Sequence, residues 1–340
     1  MPMPVAESRR LEQRSWSRVI ASRVLASNER GSAPEILRRN WPQRSAVSPS
    51  STTNTGLPAH DLVGAFRSLA PGAAFWKLAD HPAALKLNLR GVGTINIPHV
   101  ASFPAQPLFI GEGQPAPVAQ WSLLKAALGP AKKIMIISAI SEELEQASPQ
   151  SVAQVIGRVL SDATNKSIDT IAFDSNAGTA IRPPGLLYNV TPITAATAGV
   201  DAMAEDLGAL VAAIGAAGID PSEVVFITDP RSAMIIAAKS GPNFSNEVLI
   251  SLGVPAKTVI AIAPAGLATG YSNGPQIDTA KETVMHFEGA SPGEIVSSPG
   301  VVASPSKSVF QSYLLAVRVR AECSWCAAPG AAQVISSVNW

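Results

Sequence analysis

The chain has 340 residues, a formal net charge of +1 and only 15 % charged residues. It is long enough to bury a sizeable core in two or three modest domains or one elaborate one, and its low, balanced charge leaves no electrostatic case for nucleic-acid binding by the folded part. Two cysteines exclude a disulfide framework and fit a reducing interior. The longest apolar runs, such as Leu210–Ile219, are too short to span a bilayer, and no charged-then-apolar signal opens the sequence. The expectation is a soluble, intracellular protein with no membrane partner.

Residues 1–57 differ from the rest, with nine arginines, no lysine, four glutamates and the tract SPSSTTNTG. Leu11, Trp16, Val19, Ile20, Val24 and Leu25 recur at helical spacing, which predicts a basic amphipathic helix in a solvated tail. Glu7, Glu12 and Glu29 weaken the alternative of a membrane-surface or transit helix. Ser45–Gly56 has linker composition. The mixed segment from Leu57 to His81 carries Phe66, Phe75 and Trp76, which suit docking against a partner surface.

Leu85–Val100 alternates, with Leu85, Leu87 and Leu89 on one face, and predicts a half-buried strand. Pro107–Ser141 reads as an extended hairpin, outbound through LFIGEGQPAPVAQWSLL and returning through LGPAKKIMIISAIS. Its tip GEGQPAP is rich in glycine and proline, as an exposed loop requires. Ser148-Pro149 then opens the longest amphipathic helix, an N-cap followed by proline where a missing N–H costs nothing. Val152, Val155, Ile156, Val159, Leu160, Ala163, Ile171 and Ala172 form its apolar stripe, opposite Gln154, Arg158, Asp162 and Lys166.

After the loop DSNAGTAIRPPGLLYN, Asp201–Ala217 predicts a second amphipathic helix, with Met203, Leu207, Leu210, Val211 and Ile214 as its apolar stripe. The strand EVVFIT runs into Asp229-Pro230, again N-cap then N1 proline, and opens the helix RSAMIIAAK. TVIAIA (258–263) is a buried-type strand and KETVMHFE (281–288) another, so 200–290 reads as α/β or α+β. The last strand is the clearest. Leu315, Val317, Val319, Ala321, Cys323 and Trp325 share one face, and eleven residues of alternation exceed the usual five or six. A turn at Ala328–Gly330 leads to a short strand, QVISSVNW.

Candidate chemistry falls away on inspection. Cys323-Ser-Trp-Cys326 matches C-x-x-C, but it sits on a strand, where odd spacing points the two sulfurs to opposite faces, and no second cysteine pair exists. Gly289-Ala-Ser291-Pro-Gly293 has the spacing of a nucleophile elbow, yet the residue after the serine must donate its N–H to an oxyanion, and Pro292 has none. Ser291 therefore reads as a turn residue, with a serine hydrolase kept as the remote alternative. Gly91-Val-Gly93-Thr-Ile-Asn96 has asparagine where a dinucleotide fingerprint needs its third glycine. Glu142 and Glu143 do not share a face and suit a helix start. The histidines at 60, 81, 99 and 286 are scattered. The expectation is no catalytic residue, no cofactor and no metal.

The wording of four stretches resembles the major capsid proteins of tailed bacteriophages, whose shell-forming fold is shared with encapsulins. LFIGEGQPAPVAQWSLLKAALGPAKKIMIISAISEELEQAS looks like that family's extended loop and return strand. The helix at 149–174 with IRPPGLLYN after it, VFITDPRSAMIIAA, and SVFQSYLLAVRVRAECSWCAAPGAAQVISSVNW match its later landmarks. The resemblance covers roughly residues 60–340.

It implies an α+β, phage-capsid-type fold: a basic N-terminal segment (1–57), an N-arm (58–84), an extended hairpin loop (85–145), a peripheral domain with a spine helix (146–200), a mixed α/β axial domain (201–280) and the peripheral domain's long C-terminal strands (281–340). It also implies self-assembly into hexamers and pentamers of an icosahedral shell enclosing DNA without sequence-specific contacts. Portal, scaffold and head-maturation protease would be partners, with assembly in the bacterial host cytoplasm and a final place in the virion. An encapsulin-like or gene-transfer-particle shell is the alternative. Lys125, Lys132 and Lys133 lie where some members crosslink subunits, but nothing identifies a pairing, so no crosslink is expected.

Overall fold

The computed structural model describes residues 70, 72–102, 122–141, 149–241, 244–286, 296–298, 301–302 and 306–340. The sequence-predicted tail helix, the linker at 45–56, Phe66, the hairpin tip GEGQPAP, Glu142-Glu143, Phe287, Glu288 and Ser291 lie outside these residues. The chain divides into two compact units built from interleaved segments, each treated separately below.

The larger unit draws on Leu57–Lys133, Ala163–Asn273 and Glu322–Trp340. Its main core is a helix-on-sheet layer. Strands β5 (Val225–Thr228), β6 (Val248–Ile250), β7 (Thr258–Ile262) and β14 (Ala332–Ser336) form a sheet in the order β14-β7-β5-β6. β5 and β6 are parallel, while β7 runs antiparallel to both β5 and β14. Every residue of β5 and β7 is buried. Central strands covered on both faces read as continuous apolar runs, which is why VFIT and TVIAI show no alternation. Helix α3 (Ala202–Ala216) lays Met203, Leu207, Leu210 and Ile214 on this sheet against Phe226, Val259 and Ala261. The predicted stripe is therefore correct, with Val211 packed only at its margin.

Asp229 ends β5 and caps helix α4 (Pro230–Lys239). Its carboxylate accepts from the N–H of Arg231 and of Ser232, with Pro230 at N1. The other oxygen accepts from the N–H of Lys257, 3.1 Å away, which ties the start of β7 to the cap.

A second core lies under a hairpin. Strands β2 (Ile95–Ser102) and β3 (Ser122–Leu128) pair antiparallel, from Ile95 opposite Leu128 to Ser102 opposite Ser122. At its base Ile95, Ile97, Ala126 and Leu128 pack with Leu89, Ala268 and Cys326. Further along the hairpin, Leu124 is 42 % exposed.

This pairing corrects the expected hairpin. The strand that answers 122–128 is 95–102, and the segment 132–141 (β4) belongs to a different sheet. The expected single strand over Leu85–Val100 is also two. β1 (Leu85–Asn88) runs parallel to the start of β8 (Leu267–Ala280), and the chain turns at Gly91 (φ +72°) before β2 begins. A positive φ in Gly91-Val-Gly93 breaks the strand although the apolar alternation runs on.

The smaller unit has its described residues in Ile134–Asp162 and Gly274–Ala321. It holds most of β4, the outer half of β8 and the first half of β13 (Leu314–Ala327), with the short pairs β9 (Val284–His286) with β12 (Ser306–Ser308) and β10 (Val296–Ser298) with β11 (Val301–Val302). On β13, Leu315, Val317, Val319 and Ala321 are buried, while Arg318 is exposed and forks onto Asp278 of β8 at 2.8 and 3.2 Å. Both partners are nearly half exposed, so this cross-strand pair contributes little beyond register. Arg320 donates to Gln276 on the same pair of strands. The predicted alternation holds from Val317 to Cys323; Ala316 before it is buried between Leu315 and Val317, and after it Ser324, Trp325 and Cys326 are all buried.

The Asp229 cap carries a test. Burial pushes its carboxyl up, but the bonds from Ser232, Lys257 and Arg231 outweigh that and hold it below the usual aspartate value. Its stabilisation is present above about pH 3.9 and lost as pH falls through the lowered native value. Asp229→Ala is expected to cost about 1–2 kcal/mol in urea unfolding at pH 7, and the gap to wild type should close steadily below pH 4.

Candidate functional site

The most heavily bonded polar cluster among the described residues stands near the C-terminal end of the long helix α2 (Pro149–Ala172), within the larger unit. Asn165 and Asp169 are one turn apart and share a face. The Asn165 amide oxygen accepts from the N–H of Gly72 (3.1 Å) and of Ala73 (3.0 Å). The Asp169 carboxylate accepts from the N–H of Ala74 and of Phe75, each at 3.0 Å. Four consecutive amides thus end on two side chains. They open the short helix α1 (Ala74–Ala79), whose own preceding residue, Ala73, supplies no side-chain cap.

Asp169 takes a further bond from a third segment, the hydroxyl of Ser251 at 2.7 Å, and Ser251 Oγ accepts from the N–H of Gly253. Gly253 lies against the helix backbone, where an added Cβ would stand 2.5 Å from the amide nitrogen of Thr170. The carboxyl is 2 % exposed. Burial pushes its pKa up, and the bonds from Phe75, Ser251 and Ala74, with Lys77 nearby, only partly offset that.

Capping α1 here aims its rings inward. Phe75 lies 4.9 Å from Trp76 and 4.7 Å from Trp325, and Trp76 reaches Tyr271 at 6.1 Å. Phe75 and Trp76 therefore belong to the unit's own core rather than to the partner-docking surface expected of them, while Phe66 lies outside the described residues.

The end of α2 is closed by the loop that follows it. The N–H of Leu186 donates to Ala172 O and that of Leu187 to Asp174 O, satisfying carbonyls that a helix end leaves open. Arg182 pairs with Asp174 at 2.7 Å, and together with the bonds from Asn176 this outweighs burial and lowers the Asp174 pKa. The Trp325 indole N–H donates to Pro184 O. Gly185 fits only because it lacks a Cβ, which would sit 2.0 Å from Asp174 O.

The sequence-predicted stripe of α2 is only partly tested, because the side chains of 149–160 lie outside the described set. In the remainder Ile168 and Ala172 are buried, Ile171 is half-buried and Ala163 is exposed. Asp169 was not predicted. Its signal is the pair Asn165/Asp169 at i, i+4 beside the apolar positions Ile168 and Ala172.

Catalytic candidates are not brought together. Cys323 and Cys326 lie three apart on β13, are unpaired with each other and buried, and burial pushes their thiols up to about 12 and about 11. Gly91-Val-Gly93 leads into a strand, so no helix N-terminus stands ready for a phosphate. Among the described residues no group of three or more His, Cys, Asp or Glu could hold a metal, and no helix is long and apolar enough to cross a membrane.

No protein-family model and no curated protein matches the chain. Solved structures do. One from Mycobacterium phage Bobi superimposes with a TM-score of 0.56 at 12 % identity, covering 86 % of this chain and 96 % of its own. One from Microbacterium phage Oxtober96 gives 0.52 at 13 % identity, over 88 % and 98 %. The capsid of a native gene-transfer (GTA) particle gives 0.50 at 11 % identity, again over 88 % and 98 %. The chain has a capsid-type fold.

That fold spans almost the full length of each neighbour, so the likeness is not confined to one motif. In it Lys125 stands exposed on the hairpin, and Lys132 donates to Ala180 O at 2.9 Å.

Two outcomes check this geometry. Gly185→Ala is expected to lower stability by about 2–3 kcal/mol in denaturant unfolding, because the backbone it meets cannot yield. Cys323 and Cys326 should resist a disulfide-exchange reagent at pH 8 in the folded chain and react at once on unfolding, since the thiolate is the reactive form.

Proposed function

We propose that the chain is the major capsid (head) protein of a tailed phage or prophage, assembling as hexamers and pentamers into an icosahedral shell that encloses DNA. The observation that carries this reading is the capsid-type fold, matched along nearly the whole length of phage and gene-transfer-particle structures. The sequence wording of the loop, long helix and C-terminal strands agrees with it independently.

In this reading α2 is the spine helix, residues 58–84 the N-arm, the sheet around β5 and β7 the axial domain, and the long strands β8 and β13 the backbone of the peripheral domain. The hairpin β2–β3 supplies contact with a neighbouring subunit. An isolated two-stranded ribbon is only marginally stable in water, so the part of this hairpin beyond its packed base needs a covering surface. Identical subunits in repeated contacts are served by extended surfaces rather than one deep site, and overlapping arms would exceed the roughly 1,600 Å² of a standard interface. The chain works by contact, with no catalytic residue. Portal, scaffold and maturation protease would act on the same shell, and its place is the virion.

A gene-transfer-particle shell is the second reading, favoured by the match to such a particle's capsid. Both readings need the same assembly. Leu124→Glu places a charge on the exposed hairpin position without touching its packed base. It is expected to leave the circular dichroism spectrum and unfolding midpoint unchanged while abolishing particles in sedimentation velocity. Particles forming at the wild-type yield would remove the hairpin from the contact.

A further inference from the structure

Four successive amides, two helix side chains and one hydroxyl meet at the end of α2, and they tie segment 72–79 there beside its buried Phe75, Trp76 and Leu78. Ala73 N–H also donates to Ala70 O at 3.2 Å. Among these groups only Asp169 can change its charge. We propose that Asn165, Asp169 and Ser251 form a proton-linked clasp that sets how readily segment 72–79 leaves the long helix. Nothing in this depends on the chain forming a shell.

The geometry makes the clasp a single unit. Asp169 alone bridges segments 95 and 82 positions away in sequence, at Ala74 and Ser251. Opening the segment returns the carboxyl to water, so the closed and open states differ in solvation at one titratable group. The charged group acting on it is Lys77 of α1, while Ser251, from the loop after β6, and Asn165, from α2, are neutral.

The direction follows from burial. The closed carboxyl binds a proton more readily than an exposed aspartate, because desolvation outweighs the three accepted bonds and Lys77. The stabilisation this brings is fully present below about pH 3.9 and is lost as pH rises through the raised native value. Acid tightens the clasp. Rising pH through that value loosens it.

Hydrogen exchange read by mass spectrometry on the full-length chain between pH 4 and 8, corrected for intrinsic exchange, tests this. Protection of peptides covering 72–79 should fall with rising pH, by up to tenfold per unit within the titration, and then level off. Asp169→Asn should flatten the profile. Ser251→Ala, which removes a donor to the ionised form, should move the fall to higher pH. It carries the test if Asp169→Asn does not fold. A flat wild-type profile, a wild-type profile persisting in Asp169→Asn, an unshifted one in Ser251→Ala, or a parallel change in α3 peptides would each overturn the clasp.

Discussion

One buried carboxylate, Asp169, decides how the larger unit closes. Taking a carboxylate out of water is costly unless hydrogen bonds replace the hydration. Here those bonds come from the backbone of Ala74 and Phe75 and from the hydroxyl of Ser251. Satisfying this one carboxyl therefore joins two remote segments to α2. The direction of α1 follows, and with it the packing of Phe75 and Trp76 against Trp325 and Tyr271.

The same device recurs across this weakly charged chain. Asp206 on α3, 2 % exposed, accepts from the N–H of Ala196 and from the Trp340 indole, both at 2.7 Å. Asp229 joins β5, α4 and the residue before β7. Asp169 and Asp229 sit near the ends of their elements and Asp206 within α3, and each ties down backbone N–H groups that secondary structure leaves unpaired. Such knots suit a subunit whose irregular connections must keep one geometry under repeated contacts. Among the described residues they account for the buried acids without recourse to catalysis.

Much of the architecture was legible in local chemistry. Ser148-Pro149 and Asp229-Pro230 mark helix starts through two independent features, a capping side chain and a proline that needs no N–H. Both helices begin at the expected proline. The long C-terminal strand announced itself by alternation. What stayed hidden depends on partners distant in sequence. Nothing in LKAAL says that it pairs with INIPH rather than with KKIMI, because both carry strand-forming patterns and only the fold selects the neighbour. Asp169 escaped for a related reason. A lone acid at the border of an apolar stripe looks like solvated surface until the amides of 72–75 are in place. The resemblance in wording reached the shell-forming fold because it rests on the order of several landmarks, whereas no single site marks the function.

The account makes this chain a subunit whose work is contact with copies of itself. Electron microscopy of the expressed full-length protein tests that most directly. Closed, uniform icosahedral particles built from hexamers and pentamers are the predicted result. A monodisperse monomer, under conditions that assemble known shells, would contradict it.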